Sequence, residues 1–83
     1  MRGNVSAMTI QTQRRTTLVA DKVRGIAAEK RVRQADLAAA LSVSRMAVTR
    51  RLNGTVPFTD HELITLAKTL DVPVGAFFGE VAA

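Results

Sequence analysis

Between Thr17 and Gly79 the apolar residues of this chain recur three and four positions apart in short runs. Each run is closed by a capping or breaking residue. That rhythm belongs to α-helices and not to strands, whose side chains alternate every second residue. Val19, Val23, Ile26 and Ala27 carry it through a first helix, about Leu18 to Arg31. Thr16 or Thr17 is the expected cap, Asp21 lies near the positive end, and Lys30 and Arg31 suit the negative end. Gly25 inside this helix costs about 1 kcal/mol against Ala. Close approach by another helix or by a phosphate is its expected reason.

A second helix, Gln34 to Leu41, turns Leu37, Ala38 and Leu41 inward, with Asp36 in its first turn. After Ser42 and Val43, Ser44 is an N-cap for a third helix, about Arg45 to Asn53, in which Val48 and Leu52 stand four apart. Asn53-Gly54 reads as the C-cap of that helix, because its flanks lack the alternation of a hairpin. Thr59-Asp60-His61-Glu62 is a capping box that opens a fourth helix to about Leu70. Leu63, Leu66, Ala67 and Leu70 form its buried stripe. Pro73 is expected at the first position of a short fifth helix that ends near Gly79 and contains Phe77 and Phe78. The expected fold class is therefore all-α, five short helices around one small core over residues 17–79. A flexible basic arm, 1–16, precedes it, and a short tail, 80–83, follows. Met8 offers a second candidate start.

The 83 residues allow one domain. With no Cys there is no disulfide, no thiolate zinc site and no cysteine nucleophile. A single His, His61, excludes a multi-histidine metal cluster, so neither cofactor nor metal is expected. No apolar run approaches the roughly 20 residues of a membrane span, and the first residues lack a secretory h-region. The expectation is a soluble intracellular chain, without a small-molecule substrate.

Charge narrows the partner. Residues 1–53 hold eleven basic and three acidic residues, a net +8, whereas residues 54–83 hold one and four, a net −3. Solubility can account for a net +5 but not for this asymmetry, which suits a polyanion.

The motif sits in the basic half. A short helix, a three-residue turn and a second helix need a small residue for close crossing, here Ala38. They also need apolar residues at the contact, here Leu37, Leu41, Val43 and Val48. The run Gln34-Ala35-Asp36-Leu37-Ala38-Ala39-Ala40-Leu41-Ser42-Val43-Ser44-Arg45-Met46-Ala47-Val48-Thr49-Arg50-Arg51-Leu52-Asn53-Gly54 resembles the lambda-repressor-like, or XRE/Cro-type, helix-turn-helix family. The likeness continues through Pro57, Leu66 to Pro73, and Phe77-Phe78, and covers about residues 17–79.

That resemblance implies roles. Gln34 stands where the family's glutamine meets the DNA backbone. Ser44 starts the recognition helix, and Arg45, Met46, Thr49 and Arg50 occupy its solvent face. Asn53 and Thr55 lie where the family meets phosphate. Arginine reads guanine bidentately, and Arg50 is open to either a base or a phosphate. Met46 is either core or a contact to a thymine methyl, and Thr49 either meets DNA or bonds back to its own helix. Arg14 and Arg15 belong either to a solvated tail or to a minor-groove arm. Arg31 and Arg33 are either solvated or on phosphate beside Gln34.

Three departures stand out. Ser42 replaces the turn glycine and takes a positive φ only at a cost. Arg33 replaces the usual Ser/Thr cap. Arg51 stands where the family buries an apolar residue, leaving the register of residues 50–52 open. The implied function is a sequence-specific, double-stranded-DNA-binding transcriptional regulator of repressor or Cro type, carried by a phage or prophage. It would bind a pseudo-palindromic operator as a weak homodimer through Val56, Phe58, Val74, Phe77 and Phe78. The two phenylalanines are expected first as core residues, but both need not fit inside, and one is left to meet the second subunit. The alternative is an antitoxin-like module whose main partner is a protein. A lone His without clustered carboxylates leaves no nucleophile–base pair, so an enzyme is not expected.

Overall fold

A computed structural model describes residues 2–79, with side chains described from Thr16 onward. Four α-helices and one 3-10 turn make up the chain in order: α1 (Arg2–Glu29), α2 (Gln34–Leu41), α3 (Arg45–Leu52), α4 (Asp60–Leu70) and the turn Val74–Phe78. No strand occurs among the described residues. The all-α expectation holds. Its fifth helix does not form as an α-helix. Pro73 and Gly79 leave five residues between them, and the chain closes them with i→i+3 bonds such as Ala76 N–H to Pro73 O, 3.0 Å. Pro73 sits before the turn and not in its first position.

α1 begins well before the expected Leu18. The chain is already helical at Thr16 and Thr17, so neither caps it. Extending a helix upstream from a packed turn is far easier than nucleating one, and no proline interrupts the stretch. The segment expected as an arm is thus drawn into α1 from Arg2 on. The side chains up to Arg15 lie outside the described residues, as do Met1 and the tail 80–83.

The core gathers Val23 and Ala27 of α1, Leu37 and Ala38 of α2, Val48 and Leu52 of α3, the four-residue stripe of α4, and Phe77. Val19, Ile26, Leu41, Val43 and Phe58 pack against it half-buried. Ala20, also buried, is the one core position of α1 that the spacing argument passed over. Nothing lies within 4 Å of where a Cβ on Gly25 would be, so close approach by another helix is not the reason for this glycine.

The chain leaves all four helices in one way. At the end of α1 Arg31 is left-handed (φ 58°); its N–H bonds Ala28 O, and the next N–H, Val32, bonds Ala27 O. Ser42 (φ 56°) with Val43 repeats this on Ala39 and Ala38, and Asp71 (φ 55°) with Val72 on Lys68 and Ala67. At α3 the left-handed residue is Gly54 (φ 82°), followed by Thr55. These are Schellman closures, which use up the last orphan carbonyls and turn a following apolar residue back onto the helix. In the three closures without glycine, a valine folds onto a buried alanine four positions before the left-handed residue. These closures bring α2, α3 and α4 back over the core, with α2 against α3 and α4, and the 3-10 turn against α1 and α4.

Candidate nucleic-acid interface

The turn between α2 and α3 is built from two side-chain decisions. Ser42 takes the left-handed conformation that ends α2. Two residues later Ser44, in extended conformation, accepts the Ala47 N–H on its Oγ at 3.0 Å and starts α3. At the start of α2 no such cap exists, because a guanidinium cannot accept a hydrogen bond. The Asp36 carboxylate makes up half of the deficit by accepting the Arg33 N–H at 3.1 Å.

At about 100° per residue, the side chains of α3 fall into three sectors. Val48 and Leu52, fully and almost fully buried, mark the inward line. Thr49 and Arg51 lie about 80° to either side of it. Met46 and Arg50 point away, and both are exposed along with Arg45 at the first position of the helix. Met46, 62% exposed, is therefore not core.

Both flanks are tethered. On one side the Thr49 hydroxyl donates to the Arg45 carbonyl at 3.0 Å and accepts from Gln34 Nε2 at 3.1 Å. Thr49 thus does bond back to its own helix, and Gln34, half-buried at the start of α2, holds it in place. On the other side Arg51 donates from Nε to Glu62 Oε1 (3.1 Å) and from Nη1 to the Ala47 carbonyl (3.0 Å). The same Glu62 oxygen accepts the Thr59 N–H at 2.9 Å, and Thr59 Oγ1 accepts the Glu62 N–H at 3.1 Å. The capping box of α4 forms as expected. Its glutamate is also the partner of Arg51, an assignment that sequence spacing did not offer. Burial pushes the Glu62 carboxyl up. The Thr59 N–H and the hydrogen bond and charge of Arg51 outweigh it and hold the group below its ordinary 4.5. Leu52 enters the core and Arg51 stays at its edge, which settles the register of residues 50–52.

Past α3, Asn53 Oδ1 accepts both the N–H (3.2 Å) and the hydroxyl (2.6 Å) of Thr55. Gly54 packs close to α1: a Cβ there would lie 3.2 Å from Thr17 Oγ1. Arg31 and Arg33 are exposed at the α1–α2 junction, next to Gln34. Among the described residues carboxylates pair with two arginines, Asp21 with Arg24 and Glu62 with Arg51. Arg31, Arg33, Arg45 and Arg50 have no such partner and keep their donors facing solvent. Arg14 and Arg15 fall outside the described side chains.

The expected dimer residues divide. Phe77 is fully buried and cannot meet a second subunit. Val56 and Phe58 are half-buried, whereas Val74 (39%) and Phe78 (57%) are exposed. They share a surface groove with Ile64, 47% exposed, which the reading of α4 overlooked because it falls between the buried positions 63 and 66. Its signal was a large apolar residue off the buried stripe.

An arginine-bearing helix start, presented on a rigid turn with its donors free, can engage phosphates and base edges of a duplex. Comparison with known proteins agrees. A family model described as "Helix-turn-helix" matches residues 26–77. No curated protein and no solved structure gives a significant match. No helix among the described residues is long and apolar enough to cross a membrane. The matched residues take in α2, the turn, α3 and α4, and the chain belongs to the XRE, lambda-repressor-like helix-turn-helix family, whose members are DNA-binding regulators.

Proposed function

We propose that the chain is a sequence-specific transcriptional regulator of repressor or Cro type, encoded by a phage or prophage and acting in the bacterial cytoplasm. One observation carries this reading: α3 exposes Arg45 at its first position and presents Met46 and Arg50 outward, while both of its flanks are hydrogen-bonded to neighbouring helices. Such a helix enters the major groove with its first residues toward the bases. Gln34, Arg31, Arg33 and the Asn53–Thr55 corner then meet phosphates on either side, which sets orientation without carrying sequence.

One domain of this size reads few base pairs, too few for a useful specificity ratio in a genome. The active form is therefore a two-fold dimer on a pseudo-palindromic site, with recognition helices about 34 Å apart. Val74, Phe78 and Ile64, with Phe58 beside them, supply a small isologous contact that DNA completes. A second reading, an antitoxin-like module, draws on the same apolar groove, at whose edge Asp60 lies, and on the adjoining hollow that shares Ile64 and Val74 and carries Lys68 and Asp71; its occupant would be another protein.

Selection of sites from random duplex DNA, followed by affinity measurements on the selected site, tests the first reading. Log affinity should fall against log salt with a slope of about −0.9 per neutralised phosphate. Arg50→Ala or Arg45→Ala should cost about 1–3 kcal/mol on the selected site and relax one position, whereas Arg33→Ala should weaken all duplexes alike. A flat salt dependence, or equal losses for all three variants on selected and random DNA, would remove direct readout by α3.

A further inference from the structure

We propose that Glu62 and Arg51, neither of them on the outward face of α3, are positioning residues for DNA recognition. Their ion pair sets the rotation of α3 about its axis, and so the angle at which Arg50 and Met46 meet the groove. The inference rests on the DNA-binding reading above and adds to it a determinant on α4.

The geometry leads there in three steps. First, α3 is only eight residues long and is anchored to the core by two apolar side chains four apart, Val48 and Leu52. Two such side chains lie nearly in line with the helix axis. They resist translation and resist roll poorly. Second, roll is what recognition is sensitive to. With Cα atoms about 2.3 Å from the axis and an extended arginine reaching roughly 6–7 Å further, a 10° roll moves the guanidinium about 1.5 Å. That exceeds the roughly 0.5 Å within which a recognition constellation must be held.

Third, the groups able to oppose roll are the two that flank the inward line. Thr49 is tied to Gln34 by one neutral hydrogen bond. Arg51 is tied by a charged pair whose side chains are only 17% and 13% exposed, and its second donor returns to Ala47 on α3 itself. Charged hydrogen bonds are the stronger kind, and little water competes for this one. Its acceptor is not free to follow a rolling helix. Glu62 Oε1 is simultaneously bound by the Thr59 N–H at the start of α4, and α4 is rooted by Leu63, Leu66, Ala67 and Leu70. The capping box of one helix is thereby the fixed post for the next.

Plain electrostatics and positioning make opposite statements about Glu62. It is an acidic group behind the DNA face, so its removal strengthens binding to any polyanion. As a positioning residue its removal weakens the selected site while random DNA binds as well as before or better.

The experiment compares the full chain with Glu62→Gln and Arg51→Lys, on the selected duplex and on random duplex. Melting curves are recorded alongside. Glutamine keeps the N3 acceptor of the capping box, and lysine keeps the net charge but cannot hold Glu62 and Ala47 with one planar fork. Each variant should lose on the order of ten-fold in the ratio of selected to random affinity, about 1.4 kcal/mol, with no loss on random DNA. Partial unfolding lowers both affinities together and leaves their ratio unmoved, so the ratio separates positioning from mere stability. If Glu62→Gln melts too low to assay, Arg51→Lys decides. A wild-type ratio in the folded variants, or a rise in selected affinity for Glu62→Gln, overturns the proposal while the DNA reading stands. A wild-type chain that prefers no duplex overturns both.

Discussion

Ser42→Gly should raise stability, and the structure gives the amount. Ser42 has φ 56° and ψ 42°, left-handed values that an L-residue adopts at a cost of about 1–2 kcal/mol. Glycine removes that cost but has more freedom to lose from the unfolded chain, about 0.4–1 kcal/mol. The serine side chain is exposed and forms no hydrogen bond, so nothing else is given up. The two backbone bonds of the closure, Ser42 N–H to Ala39 O (3.2 Å) and Val43 N–H to Ala38 O (3.1 Å), do not involve it. The net gain is about 0.5–1 kcal/mol, or a melting point higher by roughly 2–8 °C for a domain of this size. Arg31 and Asp71 hold the same conformation on the same bonding pattern and are equally exposed. Their glycine variants should each gain a similar amount, and the three together about 1.5–3 kcal/mol if the sites are independent. Urea titrations with unchanged m-values, alongside thermal melts, measure all four proteins. Loss of stability in Ser42→Gly, with Arg31→Gly and Asp71→Gly neutral, would refute the claim that these closures carry backbone strain.

Gly25→Ala should stabilise by about 0.8–1 kcal/mol, since the added methyl meets nothing; a melting point at or below wild type would mean that α1 is not continuous there. Leu66→Ala should cost about 2–5 kcal/mol, while Leu41→Ala, only half-buried, should cost clearly less; equal melts for the two would mean that the core is drawn wrongly. The Glu62 carboxyl is held below 4.5 when folded, so its contribution is complete above that pH and is lost as pH falls through the lowered value. Glu62→Gln should therefore melt lower than wild type near neutral pH and approach it in acid. A gap that does not close there would show that the carboxylate is not what stabilises.

The sequence was most readable where a local chemical rule acts. Ser44, Thr59 with Glu62, and Asn53-Gly54 each announce a helix end through hydrogen bonds spanning three or four residues. The buried stripe of α4 follows from period alone. The repeated closure was legible in principle, as alanine, three residues, an exposed polar residue and valine at 27–32, 38–43 and 67–72. Ser42 was legible through the resemblance, whereas Arg31 and Asp71 were not, because the expected signal for such a turn is glycine. The long-range pairs were not legible. Gln34 meets Thr49 across fifteen positions and Glu62 meets Arg51 across eleven, and nothing in either residue names its partner. Phe77 and Phe78 show the same limit from the other side: adjacent and identical, they are distinguished only by the turn that sends one into the core and the other out.

The sectors of α3 also bear on how such a protein diversifies. Arg45, Met46 and Arg50 contribute no side-chain hydrogen bond, ion pair or core contact to the fold, whose demands on this helix fall on Val48, Leu52 and the two flanks. Drift at these three exposed positions is therefore nearly free of the threshold that purges destabilised chains. If these three residues read DNA as proposed, copies of one ancestral gene can change the sites they bind without passing through an unfolded intermediate. A combinatorial library confined to positions 45, 46 and 50 samples new binding preferences on an essentially constant scaffold.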